Sequence, residues 1–73
     1  MKIEYSPEHD IMYIKFLEEV DIDDSLEENR IVFDYSKDKK LVAVEILDAR
    51  KRVGKNPLEK VNFSVEKNTV TAV

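Results

Sequence analysis

Apolar and polar positions alternate along much of this chain with period two, the spacing of a strand that covers one face and exposes the other. Ile3 and Tyr5 alternate within residues 1–5, and Ser6-Pro7-Glu8-His9-Asp10 then supplies turn residues, with Pro7 fixing its own φ and holding Ser6 extended. From Ile11 to Leu17 both parities are apolar except at Lys15, the pattern of a central strand covered on two sides. Val20-Asp21-Ile22-Asp23 alternates again and predicts a short edge strand whose acids discourage edge-to-edge pairing. Residues 30–35 and 40–47 predict a hairpin closed by Ser36-Lys37-Asp38-Lys39. Pairing Tyr35 with Lys40 sets Phe33 opposite Val42 and Ile31 opposite Val44 on an apolar face, and Arg30 opposite Glu45 on the other. A loop of this kind ends in a left-handed residue, which makes Lys39 the strained position.

Beyond Ala49 the pattern weakens. Gly54 is the only glycine, and Asn56-Pro57 marks a boundary at which Asn56 can cap a helical turn through Leu58-Glu59-Lys60-Val61. A competing reading makes Val61–Val65 and Thr69–Val73 a hairpin; one helical turn followed by one or two strands satisfies both in part. The elements together predict an α+β, β-rich domain: a small antiparallel sheet of four to six strands with at most one short helix. Its 73 residues form a single domain, residues 1–73, without repeat or linker. A chain this small buries about 60% of its unfolded surface, so association is a natural source of added stability.

Composition removes several chemistries. With no cysteine there is neither a disulfide nor a thiolate zinc site, and a single histidine, His9, precludes a multi-histidine metal centre. His9 lies in a polar turn between Glu8 and Asp10, and neither it nor Ser6, Ser25, Ser36 or Ser64 falls in the spacing of a nucleophile elbow or triad. The scarcity of glycine excludes the usual phosphate-cradling loops. No catalytic signature is present, and the chain is read as a non-enzyme without a cofactor. No apolar run has the length of a signal peptide or a membrane span, which leads to the expectation of a cytoplasmic protein without membrane contact.

Charge changes the picture more. The net charge of −4 conceals two halves: residues 1–49 hold 6 basic and 14 acidic side chains, a net −8, while residues 50–73 hold 6 basic and 2 acidic, a net +4. Glu18, Glu19, Asp21, Asp23, Asp24, Glu27 and Glu28 crowd one stretch; Arg50, Lys51, Arg52 and Lys55 crowd another. Charge runs are most often solvated faces, but each of these is also a candidate partner-binding surface. The acidic half and a pI near 4.9 argue against nucleic acid as the partner. A homo-oligomer, a dimer above all, or a basic protein partner fits better. Of Tyr5, Tyr13, Tyr35, Phe16, Phe33 and Phe63, several fall on core parities, and the set is read as packing rather than as a base-stacking platform. Glu45 lies in an apolar strand and needs a partner, for which Arg30 is the candidate. Asp34, Glu45 and Asp48 form the alternative, a carboxylate set for a divalent cation, although no loop has EF-hand spacing.

The string Ile3-Glu4-Tyr5-Ser6-Pro7-Glu8-His9-Asp10, followed by Tyr13-Ile14 and later by Leu41-Val42-Ala43-Val44-Glu45-Ile46-Leu47-Asp48-Ala49, resembles the YuzE-like family of small prokaryotic proteins, domain of unknown function 2283. The resemblance covers about residues 1–52 and leaves residues 53–73 as a C-terminal extension. It implies a small β-rich domain without an established activity, and, since some members are encoded beside putative toxins, an antitoxin-like interaction role. This chain departs from the family pattern in carrying Asp38-Lys39-Lys40 where a glycine is usual in the hairpin loop, and Ser6 where aspartate is frequent. The functional expectation is therefore a protein–protein interaction module, with a small-ligand- or cation-binding domain as the alternative.

Overall fold

The computed structural model describes residues 1–59 and 62–66. Five strands, β1 (Lys2–Ser6), β2 (Ile11–Lys15), β3 (Asp24–Glu28), β4 (Ile31–Tyr35) and β5 (Leu41–Leu47), precede one helical turn, α1 (Ala49–Arg52). They form one sheet of order β1-β2-β5-β4-β3 in which every neighbouring pair is antiparallel. The fold is the predicted β-rich α+β sheet with one short helix.

The β1–β2 turn closes as its residue types dictate. The His9 backbone N–H donates to Ser6 Oγ at 3.3 Å, and Asp10 takes the left-handed conformation that aspartate tolerates (φ 54°). β2 is interior, between β1 and β5, but ends at Lys15, two residues before the predicted limit. Its second face is only partly covered: Met12 is buried on one side, whereas Ile11, Tyr13 and Lys15 on the other are half-buried. Both Phe16 and Leu17 turn their N–H groups onto the Val42 carbonyl, at 2.8 and 3.2 Å, which takes the chain off the ladder.

The connection from β2 must then pass the ends of β5 and β4 to reach the far edge, three strand spacings or about 14 Å away. Residues 20–23, predicted as the edge strand, are spent on that crossing. The strand begins at Asp24, after the Asp23 N–H reaches the Tyr35 carbonyl at 2.8 Å. β3 and β4 are joined by Asn29 and Arg30, both at positive φ (55° and 64°), as in a type I′ hairpin turn.

The β4–β5 hairpin forms in a different register from the one predicted. Ser36, rather than Tyr35, pairs with Lys40: the Ser36 N–H donates to the Lys40 carbonyl at 2.9 Å, leaving a three-residue loop with Lys39 left-handed at φ 67°, the strained residue expected. Tyr35 faces Leu41, Asp34 faces Ala43, and Val42 between them is an extra residue on β5, a β-bulge. Beyond the bulge Phe33 lies opposite Val44 and Ile31 opposite Ile46. The total slip is two residues, so parity and faces are preserved while every cross-strand partner changes.

Opposed residues share a face. One face carries Ile3 and Tyr5, Met12 and Ile14, Val44 and Ile46, Ile31 and Phe33, and Leu26. The other carries two cross-sheet rows, Glu4-Tyr13-Glu45-Val32-Glu27 and Lys2-Lys15-Ala43-Asp34-Ser25. Complete burial is confined to a few side chains near the bulge and α1, among them Val42, Ala43 and Ala49.

The predicted helical turn at 56–61 is replaced among the described residues by a turn in which the Glu59 N–H reaches the Asn56 carbonyl at 3.1 Å, with Leu58 left-handed (φ 69°). A left-handed Leu58 cannot continue a right-handed helix. The helix instead forms in the basic run after Asp48, where Ala49 is fully buried and its N–H donates to the Asp10 carbonyl at 3.0 Å. Of the alternative C-terminal hairpin, residues 62–66 form no strand, and its remaining residues lie outside those described. No helix among the described residues is long and apolar enough to cross a membrane.

Candidate functional site

The polar face places Glu45 opposite Tyr13 on one side and Val32 on the other, diagonal to Asp34 across the β4–β5 pair. Asp34 is 1% exposed, an unusual place for a carboxylate. One of its oxygens, Oδ1, accepts a hydrogen bond from Ser25 Oγ on the edge strand at 2.5 Å. The other, Oδ2, is buried with no protein partner among the described residues. Burial, and after it the hydrogen bond and charge of Asp34, raise the Glu45 pKa to about 7. Burial also pushes the Tyr13 hydroxyl above its ordinary value, with Asp34 and Glu45 adding to the effect. A shallow hollow of about 270 Å³ lies beside Glu45, lined also by Glu4, Tyr5, Ser6, His9, Ile11 and Tyr13.

Arg30 is not the partner of Glu45. The turn shift and the bulge together move Arg30 beyond it, to a position where the Arg30 carbonyl accepts from the Leu47 N–H at 2.9 Å. Its guanidinium bonds Asp48 Oδ2 at 2.9 Å and approaches Glu27 at 3.6 Å. That hydrogen bond holds the Asp48 carboxyl below its usual range. The same contact diverts Asp48 from the carboxylate set proposed for a cation: Asp34 and Glu45 adjoin each other, and Asp48 pairs elsewhere. Among the described residues no group of three or more His, Cys, Asp or Glu side chains is placed to hold a metal ion.

The acidic stretch runs across the end of the sheet, from Glu18 beside the amino terminus and β1, and only its last part, Asp24, Glu27 and Glu28, lies along the β3 edge. Residues 21–28 are exposed throughout, and Leu26, 57% exposed, is the single apolar side chain of β3. Glu18 pairs with the terminal ammonium at 3.0 Å, which lowers its pKa, and Asp24 Oδ1 accepts from the Ser25 N–H at 2.9 Å. Glu19, Asp21, Asp23, Asp24 and Glu28 have no ion-pair partner among the described residues.

The basic run is divided by use. Arg50 is engaged: its N–H donates to Asp10 Oδ1 at 3.1 Å, its guanidinium reaches the Pro7 carbonyl at 3.3 Å and lies 5.7 Å from the centre of the Tyr5 ring. Tyr5 completes the junction by donating its hydroxyl to Asp10 Oδ1 at 2.7 Å, and burial followed by that bond raises its pKa. Sequence reasoning missed this Tyr5–Asp10–Arg50 junction, because it joins residues 40 and more positions apart that share no alternation. Lys51, Arg52 and Lys55 remain exposed. His9 is an exposed turn residue, and the aromatic residues divide between faces, Tyr5 and Phe33 on one and Tyr13 on the other.

The described residues form a small single sheet with an acidic edge, a basic helical turn beyond β5 and, between them, a carboxylate pair of which Asp34 is buried and Glu45 half-buried. The family described as "Protein of unknown function (DUF2283)" matches residues 2–50, which span the whole sheet, and the chain belongs to that family. No curated protein and no solved structure matches the chain.

Proposed function

We propose that the protein is an interaction module whose acidic edge, β3 with residues 21–23 before it, docks on a basic protein surface. The observation that carries this reading is the terminal position of β3 together with the exposure of the acids on it and just before it, Asp21, Asp23, Asp24 and Glu28 having no cationic partner among the described residues. An edge strand lined by like charges resists pairing with its own kind and is complementary to a surface of opposite sign. The overall charge of −4 favours a net-basic partner over a second copy of the chain. In its finer, antitoxin-like form, the edge covers a phosphate-binding surface of that partner by presenting a comparable row of negative charge.

Affinity capture of the full chain from its native cells at low and high salt, with mass spectrometry of the eluate, tests this. The expected result is a stoichiometric basic protein that is retained at low salt and released at high salt, since contacts between exposed charges weaken as the Debye length shortens. Recovery of the protein alone at low salt contradicts the reading.

A further inference from the structure

Asp34 poses a problem that the interaction surface does not address. It is 1% exposed, Ser25 satisfies only Oδ1, and Oδ2 has no protein donor among the described residues. An unpartnered buried carboxylate oxygen is costly, and such atoms are ordinarily satisfied. Ser25 lies on the β3 side of Asp34, opposite it in register, so the oxygen left over is the one towards β5. The Glu45 carboxyl, diagonal to Asp34 across the β4–β5 pair, lies on that side, close enough to feel its hydrogen bond and charge.

The charged and titratable groups facing the pair from each packed strand supply no competing cation. On β2, Tyr13 stands opposite Glu45, and Lys15 stands opposite Ala43 without an ion-pair partner among the described residues. On β1, Glu4 is opposite Tyr13, and Lys2 pairs with Glu4 at 3.4 Å. On β3, Glu27 turns to Arg30 at 3.6 Å. His9 contributes to the hollow beside Glu45 from the β1–β2 turn. None of these places an ammonium or guanidinium on Asp34, and a proton is the remaining positive charge small enough for a site so enclosed.

We infer that Asp34 and Glu45 form one proton-binding site, with the Glu45 carboxyl donating its O–H to Asp34 Oδ2, and that release of this proton weakens the β4–β5 pairing at the centre of the sheet. Loss of the proton to solvent leaves two carboxylates side by side, one of them buried, and removes the only donor to Oδ2. Like charges at such proximity do not ionise independently. The upward displacement of Glu45 agrees with this arrangement. The site is independent of the acidic edge, and either conclusion can fail without the other.

The test is a carbon-detected NMR titration of the side-chain carboxyls of the full chain from pH 3 to pH 9, in a buffer containing a chelator. The expected result is a Glu45 step near neutrality accompanied by a shift of the Asp34 signal in the same step. Glu45→Gln, which keeps a donor in place, abolishes that step while leaving Asp34 protected from solvent. Titration of Glu45 in the ordinary glutamic range with no response from Asp34 overturns the inference. The wild-type measurement decides the matter even if the variant folds poorly.

Discussion

Lys39 holds φ 67°, a conformation that costs a residue with a Cβ about 1 kcal/mol. Lys39→Gly is therefore expected to stabilise the protein by up to about 1 kcal/mol, read as a higher urea midpoint at unchanged slope; an unchanged or lower midpoint contradicts the loop geometry. Glu45 gives a prediction of opposite character, tied to pH. Its folded pKa, about 7, lies above the ordinary glutamic value of 4.5, so between these limits the folded state binds the proton more tightly than the unfolded chain. Stability from this group is complete below pH 4.5 and falls as the pH rises towards 7. Glu45→Gln is expected to match the wild type near pH 4 and to exceed it at pH 8 by about 1 kcal/mol, the worth of a retained hydrogen bond, or roughly 4–8 °C in Tm for a domain of this size. Equal melting temperatures at pH 8 would contradict the assigned pair. The strained Lys39 was legible in the sequence, since four polar residues between two apolar runs leave few turn geometries. The Asp34–Glu45 pair was not, because a one-residue shift at the turn and one inserted residue at Val42 together decide which carboxylate faces which cation.

At the scale of elements, α1 has only four residues and no side-chain cap, and a helix this short does not persist on its own propensity. Ala49, fully buried, and the Tyr5–Asp10–Arg50 junction attach it to the first hairpin. Ala49→Leu is expected to destabilise the fold by about 1–3 kcal/mol through overpacking, with the amide signals of residues 49–53 moving furthest; a neutral effect would show that the turn is not docked. β1 was readable from period two, and β2, β4 and β5 from short apolar runs bounded by turn residues. β3 was misplaced because four of its five residues are polar, while Val20 and Ile22 just before it imitate a strand. The better signal was Asn29, a residue suited to the positive φ that a two-residue hairpin turn demands. The C-terminal turn was misjudged for a related reason: Pro57 suits the start of a helix, but no burial of the following residues supports one, and Leu58 is left-handed.

Across the whole molecule the sheet separates charge by topology. β3 ends the strand order on one side, and the Lys51–Arg52 turn follows the end of β5. The linear sequence already showed two halves of opposite sign, but not that Arg50 is committed to Asp10 and Tyr5 while Lys51, Arg52 and Lys55 stay exposed. The functional reading rests on the acidic edge, and one comparison tests it most directly. Capture at low salt is repeated with two variants of the full chain, one carrying Asp21→Asn, Asp23→Asn and Glu28→Gln, the other carrying Lys51→Gln, Arg52→Gln and Lys55→Gln. The first is expected to lose the basic partner and the second to keep it. Retention of the partner by the first variant, or its loss from both, would contradict an interaction carried by the acidic edge towards a separate basic protein.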